Sequence, residues 1–183
     1  MKTYEATLFS GGAAGAEAAF GEAAEKHGIE EVNFTFEGHK SERKRGIRVL
    51  TGEELQRGDV SLTYVSKIMN RRYPDAALIR KVLQTIWYQV NNGQEIYVVG
   101  KIMDDGTVRG GTGWGAEFAK LCNKPLFVYD QDQEKWFSWV KDCWVAIDPP
   151  TIHHNHFTGT GTRFLEKSGR KAIADLFERS FAE

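Results

Sequence analysis

A chain of 183 residues with a formal net charge of −1 is long enough for one sizeable core and short for two ordinary domains. The balanced charge gives no global field for nucleic acid, so a nucleic-acid partner is disfavoured and a small-molecule ligand is expected. Cys122 and Cys143 form neither a disulfide framework nor a metal-type pair, and no leader pattern or long uncharged apolar segment occurs; a reduced, cytoplasmic protein with no membrane anchor is expected.

Tyr4 to Phe9 has the composition of a strand and runs through Ser10, Gly11 and Gly12 into an alanine-rich helix reaching about His27. Gly28 stops that helix, and Val32 to Phe36 alternates as a second strand. The charged segment Gly38 to Gly58, with Arg43, Lys44, Arg45 and Arg48, is expected to be a solvated loop. Asp59 to Asn70 predicts a helix, NRRYPD a break, and Asp75 to Val90 a second helix. Leu78, Ile79, Val82, Leu83, Ile86, Trp87 and Val90 spread over more than one stripe of it, which predicts a homo-oligomeric contact. Ile96 to Val99 is an apolar run of the kind a central parallel strand needs.

The stretch Gly106 to Cys122 follows. It packs Gly110, Gly111, Gly113 and Gly115 into six positions and then enters the helical pattern Ala116, Phe118, Ala119, Leu121. Glycines at a helix start let a ligand approach a row of N–H donors, and the helix dipole adds about half a positive charge there, so phosphate is the natural occupant. Arg109 offers a cation, Thr112 a hydroxyl, Trp114 a stacking surface and Glu117 a carboxylate in the expected first turn. That carboxylate either complements the dipole, contacts a ribose or acts as a general acid or base.

Leu126 to Tyr129 reads as a strand, and Trp136 to Trp144, with three of the five tryptophans, as a hairpin or irregular cover. After Pro149 and Pro150 the expected strand is His154 to Thr158, the turn is Gly159–Thr160–Gly161–Thr162–Arg163, and the helix is Leu165 to Phe181. His154 and His156 share a strand face without a nearby carboxylate or cysteine, so no metal site is expected. Three glycine-bearing strand-turn-helix junctions, SGGAAG, RGGTGWG and TGTGTR, predict an α/β protein with a mostly parallel central sheet. Turns that follow parallel strands gather at one edge, so all three can share a crevice. The chain lacks G-x-x-x-x-G-K-[ST], G-x-S-x-G and H-E-x-x-H, which excludes the usual P-loop, hydrolase-elbow and zincin readings. Gly111, Gly113 and Ala116 fit G-x-G-x-x-A, yet KIMDDGTVR separates them from the strand, where a dinucleotide fingerprint would follow at once.

Gly110 to Glu117, GGTGWGAE, resembles the GGxGTxxE signature of the Rossmann-like SLOG superfamily, which includes the LOG phosphoribohydrolases and the DprA and YpsA proteins. Gly110, Gly111, Gly113 and Glu117 match by position; Trp114 stands for the family threonine and Arg109 for its proline. Trp87 to Val90, Gly110 to Trp114 and Gly159 to Arg163 are similar to uncharacterised phage and bacterial members. The resemblance implies a single Rossmann-like three-layer domain over residues 1–183, with a nucleotide or nucleotide-sugar at Ser10, Gly11, Gly12, Arg109, Gly110, Gly111, Thr112, Gly113, Trp114, Glu117, Thr158, Gly159, Thr160, Gly161, Thr162 and Arg163. No cofactor is required. In LOG enzymes the signature glutamate and a separate arginine cleave a base from a ribose phosphate. Glu117 matches the former; Arg71, Arg72 and Arg80 are candidates for the latter. A binding module and an N-glycosidase using Glu117 are the two functions so implied.

Overall fold

The computed structural model of the chain describes residues 5–182. Eight strands form one sheet: β1 Thr7–Ser10, β2 Glu30–Phe36, β3 Ile47–Leu50, β4 Glu95–Gly100, β5 Leu126–Asp130, β6 Lys135–Val140, β7 Cys143–Ile147 and β8 His156–Gly161. Their order is β3-β2-β1-β8-β4-β5-β6-β7. The first six of these pair in parallel, and β6 and β7 add an antiparallel hairpin. Helices are α1 Ala16–Lys26, α2 Gly52–Gln56, α3 Asp59–Ile68, α4 Ala77–Asn92, α5 Thr112–Leu121 and α6 Lys167–Phe181. This is an α/β protein of Rossmann-like, three-layer build.

Two cores explain the layers. On one face α1 and α6 bury Phe20, Ile173, Leu176 and Phe177 against Leu8, Tyr97, Val99 and Phe157. On the other, α3, α4 and α5 bury Leu62, Val65, Leu83, Ile86 and Phe118 against Ile96, Val98 and Val128. A strand covered on both faces has no polar side to show, and β4 is buried at every position.

Several expected boundaries move. Tyr4, the expected start of β1, lies outside the described residues, and α4 begins at Ala77 rather than Asp75. The charged segment 38–58 is not simply a loop: it holds β3 and α2. β3 is an edge strand whose outward residues are solvated, so charge hid its pairing with Asn33–Phe36. The hairpin expected at Trp136–Trp144 forms, with Trp139 opposite Trp144.

The second apolar stripe of α4 has a partner within the chain. The Trp87 indole N–H donates to Ser61 Oγ at 3.2 Å, and the Tyr88 hydroxyl donates to the Glu54 carbonyl at 2.7 Å. Helices α2 and α3 thus occupy the face that suggested a subunit contact. Leu78 and Ile79, in the first turn, stay exposed.

Candidate functional site

Sheet order places the ends of β1, β8 and β4 side by side, where the strand order reverses. In an open α/β sheet this is where ligands bind, because adjacent turns diverge there and leave a crevice. Two of the glycine turns meet directly. A Cβ on Gly15 would lie 2.5 Å from both the Thr162 carbonyl oxygen and the Arg163 Cα, and the Ala16 N–H, at the start of α1, donates to that carbonyl at 2.9 Å. Only glycine permits this approach; its φ is also 93°. The third turn is tied on through β4: the Thr162 N–H donates to the Val99 carbonyl at 2.8 Å, and Gly100 lies beneath Val108 and Thr112.

The exposed rim of this edge consists of Arg109, Gly110, Gly111 and Arg163, with Thr112, Gly161 and Thr162 half-buried. Gly110 has φ 71° and open space around it. Among the described residues nothing accepts from the N–H groups of Gly110 and Gly111, and neither Arg109 nor Arg163 has a carboxylate partner. Two cations and free amides at one edge suit a phosphorylated ligand.

Other expected site residues are placed elsewhere. β8 runs from His156 to Gly161, so Gly159 and Thr160, expected in the turn, are strand like Thr158. Thr158 Oγ donates to the Gln89 carbonyl at 2.6 Å, and a Cβ on Gly159 would strike the Phe20 ring at 2.4 Å. Both are packing positions in a strand covered on both faces. Ser10 is fully buried and its hydroxyl donates to the Gly159 carbonyl at 2.7 Å. Gly12 is covered by the basic segment, whose Glu42 and Arg43 N–H groups donate to its carbonyl. Arg43 is itself held by Glu31 and Glu25, so it is committed to structure.

The RGGTGWG segment differs more. α5 starts at Thr112, so Gly113 and Gly115 lie inside it and Glu117 in its second turn, not its first. Gly113 lets the helix start close on the Val108 carbonyl, 2.0 Å from where a Cβ would be, and Gly115 lets α5 approach Ile86 of α4. Trp114 is 5% exposed and packs against Tyr73; it is core, not a stacking surface. Glu117 is 8% exposed. Its Oε2 lies 3.1 Å from Lys120 Nζ, close enough for an ion pair but not aligned as a hydrogen bond, so Oε2 has no hydrogen-bond partner. Lys120 sits 3.7 Å above the Trp139 ring, 4.9 Å from that of Trp144, and donates to the Gly106 carbonyl. Glu117 therefore faces a lysine walled by the β6–β7 hairpin.

Of the candidate arginines, Arg71 has a defined task. Its guanidinium donates to the carbonyls of Val108 and Gly110 at 3.2 and 3.1 Å and to Thr107 Oγ at 2.7 Å. It props the glycine turn from behind. Arg72 pairs with Asp75 and Arg80 with Asp59.

A buried carboxylate that the sequence pattern does not single out, Glu17, lies beneath the turns after β1 and β8. Glu17 Oε2 accepts from the Ala13 N–H at 3.0 Å, and Oε1 from Thr160 Oγ at 2.8 Å. In the amide orientation that satisfies Gln89, its Nε2 donates to Glu17 Oε1 at 3.2 Å while its Oε1 accepts from the Gly11 N–H. Burial pushes the Glu17 carboxyl above its ordinary value; the hydrogen bonds from Ala13, Thr160 and Gln89 oppose that. The available signal was an acid at the second position of a helix that follows a glycine turn. Glu17 thus occupies the Ala13 amide of the turn before α1, while the Ala16 N–H at the helix start is taken by the Thr162 carbonyl.

Two cavities lie away from these turns. One of about 370 Å³ is lined by Leu55, Asp59, Arg80 and Gln84; another of about 530 Å³ lies between α6 and the hairpin at Tyr129, Trp136 and Lys171. Among the described residues no group of three His, Cys, Asp or Glu side chains is arranged to hold a metal, and no helix is long and apolar enough to cross a membrane.

No protein-family model and no curated protein matches the chain. Among solved structures, one from Syntrophus aciditrophicus titled a "putative molybdenum carrier protein" is similar at a TM-score of 0.53 and 15% identity, covering 100% of this chain and 97% of that one. At that identity the similarity establishes the shared fold: this chain has the three-layer α/β architecture of that protein along its whole length.

Proposed function

We propose that the chain binds a nucleotide or nucleotide-sugar by its phosphorylated ribose, as a sensing or sequestering module. The observation that carries this reading is the meeting of adjacent strand ends, where Gly15 abuts Thr162 and Arg163, with Arg109, Gly110, Gly111 and Arg163 exposed at that edge and neither cation given a carboxylate partner among the described residues. Glu117 supports binding over N-glycosidase chemistry, since its carboxylate is turned to Lys120 rather than to the exposed rim. The similar structure is named for molybdenum, and an oxyanion such as molybdate would draw on the same amides and cations, so it belongs in the test.

The experiment is calorimetric titration with nucleoside monophosphates, ADP-ribose, inorganic phosphate and molybdate. A nucleotide should bind. Arg163→Ala should weaken it by about 1.5 to 3 kcal/mol, the range for a charge-assisted hydrogen bond. Unchanged affinity in Arg163→Ala removes the β8 turn from the site. Base released from any bound nucleotide, and lost in Glu117→Gln, would establish the enzyme instead.

A further inference from the structure

The turn that follows β8 holds an exposed aromatic ring. Phe164, directly after Arg163, is 70% exposed. Leaving such a side chain in water forgoes the gain of burying it, although single exposed apolar residues are common on mobile surface loops. Phe164 is not on such a loop. Its N–H donates to Thr162 Oγ at 3.1 Å, and its carbonyl accepts from Gln131 Nε2 at 3.2 Å. Gln131 is 8% exposed, its own N–H donates to the Gly100 carbonyl, and its Oε1 accepts from the Glu166 N–H at 2.8 Å. The backbone on both sides of Phe164 is thus fastened to the ends of β4 and β5. The fold holds the ring out.

One face of the ring carries the Arg163 guanidinium, 4.8 Å from the centroid. That contact leaves the exposed ring a stacking surface next to an arginine able to take phosphate, on the turn that is tied to the end of β4 through the Thr162 N–H and the Val99 carbonyl. Base-on-aromatic stacking is insensitive to which base is present, because each base has a π-face.

Building on the reading above, we infer that Phe164 is the stacking platform for the base of the ligand, so that the site takes nucleotides in preference to sugar phosphates or bare oxyanions. The geometry assigns recognition to two neighbours in sequence: Arg163 takes phosphate and Phe164 takes the base. Stacking needs a flat ring rather than a particular hydrogen-bond pattern, so the preference among bases is broad.

The test uses AMP, ribose 5-phosphate and molybdate as calorimetric probes of wild type, Phe164→Ala and Phe164→Trp. Wild type should bind AMP more tightly than ribose 5-phosphate. Phe164→Ala should lose on the order of tenfold in AMP affinity with ribose 5-phosphate unchanged, and Phe164→Trp should restore it. Equal AMP affinity in wild type and Phe164→Ala, or equal losses for AMP and ribose 5-phosphate, overturns the platform while leaving a phosphate site in place. Molybdate binding with no AMP or ribose 5-phosphate binding overturns the nucleotide reading itself, and this inference with it.

Discussion

Burial holds the Glu17 carboxyl above its ordinary value of 4.5, and the sign of the consequence follows. An acid whose folded-state value exceeds its unfolded one stabilises the fold below the unfolded value and loses that contribution as pH rises through the folded value. Wild type should therefore lose stability relative to Glu17→Gln as pH rises from about 4.5 upward. Denaturant unfolding of both proteins at pH 5 and pH 8 measures this. The lost or altered hydrogen bonds of glutamine cost the same at each pH and cancel in the comparison. A wild-type-to-mutant difference that stays flat with pH would mean that Glu17 is ionised in the fold to the same extent as in the unfolded chain.

At the scale of elements, the end of α4 shows how a remote residue completes a helix. The last carbonyls of a helix have no partner of their own. Lys124, in the turn before β5, donates from Nζ to the carbonyls of Val90, Asn91 and Gly93 at 2.7, 2.9 and 2.6 Å. A cation at a helix C-terminus also complements its dipole. Removing the donor while keeping the stem, as in Lys124→Met, should cost about 1 to 3 kcal/mol in urea unfolding, with an unchanged m-value. A loss below half a kilocalorie per mole, roughly the floor for a hydrogen bond in such series, would show that water replaces the ammonium. The helix itself was readable from its apolar spacing. Its cap was not, because the partner lies some thirty residues along the chain.

Across the whole molecule, one hydrogen-bonded sheet joins the two helical layers to the hairpin, so the chain should unfold as a single unit. The hairpin carries Trp136, Trp139 and Trp144, and fluorescence therefore weights that end, whereas far-ultraviolet circular dichroism reports helices on both faces. Coincident thermal midpoints by the two probes are expected of two-state unfolding. An earlier fluorescence transition would show the hairpin melting on its own. The edge strand β3, with outward Arg48 paired to Glu54, shows why a segment of high charge carries a strand with the pattern of a loop: at an edge only one side of the strand needs burial.

The sequence by itself left the tryptophan-rich segment as either a hairpin or an irregular cover, and it determined the α/β class, the helices α1, α3, α4 and α6 to within a few residues, and the central strands. Those rest on local periodicity and glycine stops, which act over a few residues. It also brought forward Arg109, Gly110, Gly111, Thr112, Thr162 and Arg163, because cations and glycines after strands carry their meaning locally. The tertiary structure alone decided which glycines stay exposed and which face protein. Gly113, Gly115 and Gly159 serve close packing, and the same residue type serves both ends. It alone sent Trp114 inward, turned Glu117 to Lys120, and brought Glu17 of α1 to Thr160 of β8, 143 residues away. A side chain's chemistry is written in the sequence, but its partner is fixed by which strands the sheet sets side by side.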